Sequence, residues 1–379
     1  MQFRASLVPL EAAFLSRSLS RLFDPVNLMF DATSRPTRQE CDSLIRTITS
    51  EINVSSVDDE LCKKVARNIL KCIRLIQTRC EALLPASYQV IGPVTEEQSM
   101  VVSVVNQLFY LRSQLERTIC GNLSHLSLCP EAQNIIDKLE PTLVEVIQAF
   151  LSRVFDAIVA AVAEILLTMH NENFGVGSVS AQCSLYMREL QTFLTRAAES
   201  YIAPFSRTTL LVTNCSNTAR KCLSLFILNA SLLRPLEDGG KQRLAADFAM
   251  MESVITNLSS KTSDLGMEYR QLRAVKPLLF VTAEHMAKTS SLGDIIPHSL
   301  LLHFLFSRAP PDLKSPHESA GWTIAQYVKW WTEHPREKDR RSIISGSLES
   351  YVCYVRRSGL SHYCDVYPIM QNVLEQATG

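Results

Sequence analysis

The chain has 379 residues, enough for roughly two to three compact units and for burial of most apolar side chains. Its 38 Lys and Arg residues balance 38 Asp and Glu residues, which excludes a global field that would draw the protein onto nucleic acid or an anionic membrane. Its 12 glycines are about half the share of an average chain, which argues against a hairpin-rich β fold.

Helical periodicity is clearest from Leu61 to Leu84, where apolar residues recur at steps of three and four. These residues are Leu61, Val65, Ile69, Cys72, Ile73, Ile76, Cys80 and Leu83. The opposite face carries the basic residues Lys63, Arg67, Lys71 and Arg74. This stripe suits an acidic partner or lipid headgroups, although charge on the outer face of an amphipathic helix is usually only solvated.

The rest of the chain also has helical patterns separated by short breaks. Further helices are predicted at Val94–Leu123, Glu131–His170, Cys183–Ala203, Thr209–Leu233, Lys241–Leu258, Leu265–Lys288, Pro297–Ser307, Ser319–Trp331, Pro335–Arg356 and Pro368–Gln376. Pro277 should kink or split the helix that contains it. The apolar stretch Leu143–Met169 carries four charged residues, which predicts a buried bundle helix rather than a membrane span.

Helices joined in series by short loops predict an all-α fold, an elongated rod of consecutive antiparallel helical bundles. We place a first bundle at residues 1–125, a central bundle at 126–292 and a C-terminal bundle with a Pro-rich connector at 293–379.

The connector follows an apolar helical end, and residues 301–316 read LLHFLFSRAPPDLKSP. Pro310 and Pro311 remove two backbone donors and fix φ, so the helix should end near Arg308. Pro316 should keep the chain extended until a new helix begins near Ser319. Such a loop most often only sets the angle between helices; the alternative is a docking loop.

The segment GWTIAQYVKWWTEHPREKDRR (321–341) is rich in aromatic and basic residues. A helix here would turn Ile324, Tyr327, Val328 and Trp331 inward and leave the other two tryptophans off that stripe. Exposed tryptophan beside arginine is typical of a binding hot spot, and equally of a terminal bundle docked on its neighbour. The candidate protein-contact residues are Pro310, Pro311, Lys314, Trp322, Trp330, Arg336, Lys338, Arg340 and Arg341. We expect Trp330→Ala combined with Arg340→Ala to weaken partner binding with little loss of stability.

Motifs for catalysis or cofactor binding are not found. GGKQRLA (239–245) lacks a preceding strand and has Gln242 where a phosphate loop needs a hydroxyl residue. Neither His298 with His303 nor His362 between two cysteines gives a complete zinc ligand set. The sequence therefore predicts no catalytic, cofactor-binding or metal site, and no enzyme.

The 11 cysteines include no CxxC pair. This pattern suits free thiols in a reducing compartment, and it predicts a cytoplasmic protein.

Several blocks resemble, in the same order, the subunit five family of the conserved oligomeric Golgi complex, a vesicle-tethering assembly. The blocks are AAFLSRSLSRLFDPVNLMF (12–30), VIGPVTEEQ (90–98), TMHNENF (168–174), CSLYMRELQTF (183–193), ASLLRPLEDGGKQRLAADFA (230–249), GDIIPHSLLLHFLFSRAPPDLKSP (293–316), HPREKDR (334–340) and VYPIM (366–370). The similarity extends over nearly the whole chain. Because family members are about twice as long, the chain resembles only their C-terminal half.

The resemblance implies a non-enzymatic tethering subunit that acts in intra-Golgi retrograde transport and so maintains glycosylation. It implies a peripheral location on the cytosolic face of the Golgi membrane, reached through the complex. The implied partners are the other subunits, with SNAREs, small GTPases and coiled-coil tethers as further candidates. The alternatives are a helical peripheral membrane adaptor outside such a complex and a helical enzyme with an unrecognised pocket.

Overall fold

The computed structural model describes residues 2–30, 35–122, 128–175, 183–259 and 261–377. These residues form the α-helices α1 (Gln2–Met29), α2 (Arg38–Ser55), α3 (Asp59–Leu83), α4 (Glu96–Arg117), α5 (Pro130–Ile136), α6 (Leu139–Leu167), α7 (Leu185–Ala197), α8 (Thr209–Ser231), α9 (Asp238–Val254), α10 (Gly266–Leu278), α11 (Ala283–Ala287), α12 (His298–Phe306), α13 (Pro316–Ser319), α14 (Ile324–Glu333), α15 (Glu337–Arg357) and α16 (Val366–Gln376). Within these ranges no β-strand occurs, and an isolated bridge joins Leu292 to Ile296. The predicted all-α class is confirmed.

Two compact units can be distinguished. Unit one contains the residues up to Ala157 together with Glu199–Asn214, and unit two contains Ile158–Ala198 with the residues from Cys215 onward. The proposed division into three bundles stays a prediction. Its boundary at residue 125, like the predicted helix end at Leu123, lies outside the described residues.

In unit one, α3 packs against α1, α2 and α5. Six of its eight periodic residues are buried as predicted: Val65, Ile69, Cys72, Ile73, Ile76 and Cys80. Leu61 is only half-buried, and Leu83, at the end of the helix, is exposed.

Helices α1 and α2 were not predicted from the sequence. The start of α2 has a clear signal, since the Thr37 hydroxyl accepts from the Glu40 N–H while the Glu40 carboxylate accepts from the Thr37 N–H at 2.8 Å. This capping box satisfies two backbone donors that the first helical turn leaves without partners. α1 gives a weaker signal because Pro9 and Pro25 lie inside it.

In unit two, α12 packs against α15 and α16. Every residue of α12 from Ser299 to Phe306 is buried, as expected for a helix that is apolar on all sides. The helix ends before Ser307, close to the predicted end at Arg308. The predicted Leu265–Lys288 helix is split into α10 and α11 at residues 279–282, and Pro277 lies inside α10, one residue before its end.

The predicted helix Ser319–Trp331 is wrong in its first half. Ser315 and Glu318 form a capping box, so Pro316 begins the short helix α13 instead of extending the chain. Gly321, with φ of 70°, then separates α13 from α14. The predicted Glu131–His170 helix is likewise divided, into α5 and α6.

None of the helices in the described ranges is both long enough and apolar enough to cross a membrane.

Two helical glycines are expected to respond oppositely to alanine. Gly346 lies exposed inside α15, and an added Cβ would meet no atom within 4 Å. Gly346→Ala should therefore stabilise the chain by up to about 1 kcal/mol, because alanine loses less backbone entropy in a helix. In α9, a Cβ on Gly240 would lie 2.0 Å from the Phe174 carbonyl oxygen, so Gly240→Ala should destabilise it. Urea unfolding of both variants measures the two effects. A Gly346→Ala protein less stable than the wild-type chain would contradict the expected stabilisation.

Candidate functional site

The proline-containing loop is held by two arginines that bind backbone carbonyls. Arg234 donates to the carbonyls of Leu313 at 2.7 Å, Ala309 at 3.1 Å and Pro310. Arg308 donates to carbonyls at the end of α10, at 2.9 Å for Leu278. These bonds satisfy carbonyl groups that an irregular loop would otherwise leave without partners. The loop is therefore fixed in shape.

The candidate residues of this loop lie on its outside. Pro310, Pro311 and Lys314 are exposed. The Lys314 carbonyl accepts from the Ser347 hydroxyl of α15 at 2.7 Å, and the Tyr354 hydroxyl lies 3.3 Å from the Asp312 carboxylate. The loop thus presents its side chains next to the outer face of α15.

Below the loop, His303 on α12 is completely buried in a polar chain. Its Nε2 lies 2.8 Å from the Tyr327 hydroxyl, and its Nδ1 lies 3.2 Å from the Ser231 hydroxyl. Ser231 donates its own proton to the Leu228 carbonyl at 2.6 Å, so it accepts from Nδ1–H, and Nε2 accepts from Tyr327. Burial lowers the pKa of His303 to about 3, which keeps the ring neutral.

An aromatic cluster connects this buried histidine to the surface. The Trp331 ring is buried, 4.6 Å from His303, whereas Trp322 and Trp330 are half-buried with ring centres 5.9 Å apart. Trp330 also stacks on His334 at 4.6 Å. Of the predicted inward stripe, Tyr327, Val328 and Trp331 are buried, and Ile324 is only half-buried.

The four basic candidates are not one surface cluster. Arg340 donates to the carbonyls of His334 at 2.8 Å and Trp331 at 3.0 Å, and its guanidinium lies 4.4 Å from the Trp331 ring centre. Arg341 donates to the Ala377 carbonyl. Arg336 and Lys338 are exposed, and Arg336 pairs with Asp339 at 2.9 Å. We therefore correct the expected stability of the Trp330→Ala and Arg340→Ala pair: Arg340 supports the fold, so its removal cannot separate binding from folding.

Sequence comparison gives the family. No protein-family model matches the chain. The chain is 43% identical over 383 residues to conserved oligomeric Golgi complex subunit 5 of Mus musculus, across 98% of this chain and 46% of the mouse protein. The chain belongs to the conserved oligomeric Golgi complex subunit 5 family. Subunit 5 of Drosophila melanogaster is 29% identical over 97% of this chain, and that of Arabidopsis thaliana 28% over 98%. The chain spans about half the length of these relatives.

Three of the blocks that resemble the subunit 5 family meet in unit two around Asp247 of α9. Asp247 accepts from the Ser184 N–H at 2.8 Å, the Ser184 hydroxyl at 2.6 Å and the Tyr186 hydroxyl at 2.8 Å, and the Cys183 thiol lies 3.1 Å away. Arg243 joins this network to Glu172 at 2.5 Å. We call this set the Asp247 network: Glu172, Cys183, Ser184, Tyr186, Arg243 and Asp247. It fixes the start of α7 against α9.

Two hollows in the described parts of the chain contain few ionisable groups. A surface hollow of about 430 Å³ beside α2 contains Arg46 as its one ionisable side chain. The cavity beside His303 measures about 10 Å³, at most the space of one water molecule. No described group of three or more His, Cys, Asp and Glu side chains could hold a metal ion.

Proposed function

We propose that the chain is a non-catalytic subunit of a Golgi vesicle-tethering complex. The observation that carries the proposal is the match to subunit 5 proteins over nearly the whole chain, in animals and in a plant. In this proposal the protein acts in intra-Golgi retrograde transport and so maintains glycosylation. It works on the cytosolic face of the Golgi, and the complex brings it to the membrane.

The geometry supports a binding function over an enzymatic one. Catalysis needs ionisable groups around a cavity that can hold a substrate. The cavity beside His303 is too small to hold any substrate. The other subunits of the complex are the expected main partners; SNAREs, small GTPases and coiled-coil tethers are further candidates.

We assign the partner contact to a surface of unit two formed by the proline loop and the exposed face of α14 and α15. We call it the C-terminal surface; it consists of Pro310, Pro311, Lys314, Trp322, Trp330, Arg336 and Lys338. It combines a rigid backbone with half-buried tryptophans and exposed basic side chains, which is the usual composition of an interaction hot spot.

Affinity purification from cells, followed by mass spectrometry, tests the proposed function. The tagged chain should recover other subunits of the complex in stoichiometric amounts. Recovery of none of them, from cells that contain the intact complex, would contradict the proposal.

A second purification tests the surface. Lys314→Ala combined with Arg336→Ala and Lys338→Ala should reduce recovery of a partner at least about tenfold and leave the thermal melt unchanged, because all three side chains are exposed. The matched control combines Lys261→Ala, Arg270→Ala and Lys288→Ala, three exposed basic residues of unit two that lie outside α14, α15 and the proline loop. Equal recovery with both triple variants would place the contact elsewhere.

A further inference from the structure

The outer face of α3 carries three exposed basic side chains in a straight row. We call Arg67, Lys71 and Arg74 the basic ridge. Their spacing of four and three residues places them on one face of the helix, over about 10 Å of its length. The ridge lies in unit one, on a surface that the proposed function does not use.

Three acidic side chains in or next to the helices that pack against α3 have partners outside the ridge. Glu131 of α5 pairs with Lys63, and Glu11 of α1 pairs with Lys64 at 2.5 Å. Asp137 accepts from the Gln133 amide at 2.7 Å. Among the described side chains, none forms an ion pair with the ridge. Its three positive charges are therefore not compensated by any side chain in the described part of unit one.

The sequence of α3 adds to this imbalance. From Leu61 to Cys80 it contains six basic residues and no acidic one. Like charges four residues apart destabilise a helix, and basic residues in its middle gain little from the helix dipole. The fold alone therefore gives no reason for the ridge.

We propose that the basic ridge binds an acidic helical segment of a partner protein. A second helix that carries Asp or Glu at steps of four and three residues would place one carboxylate opposite each ridge residue. The balanced composition of the whole chain means that this attraction acts locally.

The surroundings of the ridge favour a protein over a membrane. Helices that lie on membranes insert apolar side chains beside their basic ones. On α3 the one large apolar side chain that is exposed is Leu83, nine residues beyond Arg74. Three charges without such insertion attract anionic lipids only weakly.

The expected contact is modest and sensitive to salt. An exposed ion pair contributes at most about fivefold to an equilibrium constant, so three pairs contribute at most about a hundredfold. Salt at about 0.5 M should screen most of this attraction.

The test uses the full chain and a labelled peptide. The peptide is alanine-rich, helical and carries three Glu residues at the ridge spacing; a second peptide has Gln in their place. Fluorescence anisotropy should show that only the Glu peptide binds. The triple substitution Arg67→Gln, Lys71→Gln and Arg74→Gln should weaken the affinity for this peptide about tenfold or more. The matched control, Lys288→Gln with Arg356→Gln and Arg357→Gln, should change binding less than about twofold.

Three results would overturn the proposal. Equal losses in both triple variants would mean that the peptide senses only net charge. Unchanged binding in the ridge variant would place the contact elsewhere. Ridge-dependent binding to phosphatidylserine vesicles, without binding to the Glu peptide, would identify a lipid surface instead.

The stability of the single variant Lys71→Gln gives an independent check. Since the ridge charges repel one another, Lys71→Gln should unfold at the same or a higher urea concentration than the wild-type chain. A clear loss of stability would show that the ridge serves the fold, and the proposal would fail.

Discussion

Replacing Asp247 by alanine is expected to destabilise unit two by about 3–5 kcal/mol. The carboxylate is completely buried and holds the backbone and hydroxyl of Ser184 and the hydroxyl of Tyr186. Its removal leaves these donors buried without an acceptor, and each such group costs about 1–3 kcal/mol. Urea unfolding followed by circular dichroism measures the loss.

Asp238→Asn is the matched control, because Asp238 lies at the start of the same helix with its side chain 92% exposed. Its effect should be much smaller than that of Asp247→Ala. The loss of stability in Asp247→Asn should fall between the losses in Asp238→Asn and Asp247→Ala, because the amide keeps one accepting oxygen. If Asp247→Ala unfolds at the wild-type urea concentration, the network does not stabilise unit two.

His303 is expected to make unit two sensitive to acid. Its pKa of about 3 lies below the value of about 6.5 in an unfolded chain. The unfolded state therefore binds a proton below pH 6.5 that the folded state excludes, and stability falls as the pH decreases from 6.5 towards 3. In that window, this one residue lowers the free energy of unfolding by up to about 1.4 kcal/mol for each pH unit of acidification.

The neighbouring His170 and His317 act in the same direction, because burial lowers their pKa values as well. Urea unfolding at a series of pH values should show a flatter profile for His303→Gln than for the wild-type chain. The comparison of slopes separates titration from any constant loss caused by the substitution. Parallel profiles would mean that His303 does not control acid sensitivity.

The sequence predicted the helices that have regular apolar spacing, and α3 is the best example. It did not predict α2, although Thr37 and Glu40 signal its start and its buried residues Leu44, Ile48 and Ile52 recur at four-residue steps. It also did not predict the break between α5 and α6, although Pro141, in the first turn of α6, has no N–H to continue the helix from the Asp137 carbonyl. Both features had local signals, whereas no local pattern shows which helices distant in sequence pack together.

At the candidate site, the sequence identified the prolines and the aromatic residues but not what holds them. Arg234 is about 75 residues from the carbonyls that it binds, and no local pattern reveals a donor so distant. The sequence excluded His303 from a complete zinc ligand set but did not show its role, which is that of a buried hydrogen-bonding residue. Arg340 was assigned to the surface because its position in a basic run does not show that it bends back onto Trp331.

The way in which the proline loop is held has an evolutionary consequence. Arg234 and Arg308 bind main-chain oxygens, which every amino acid possesses. Substitutions of exposed side chains such as Lys314 therefore leave the anchoring bonds in place. Such a loop can acquire a different partner preference by single replacements at its outer positions, while the two arginines preserve its path.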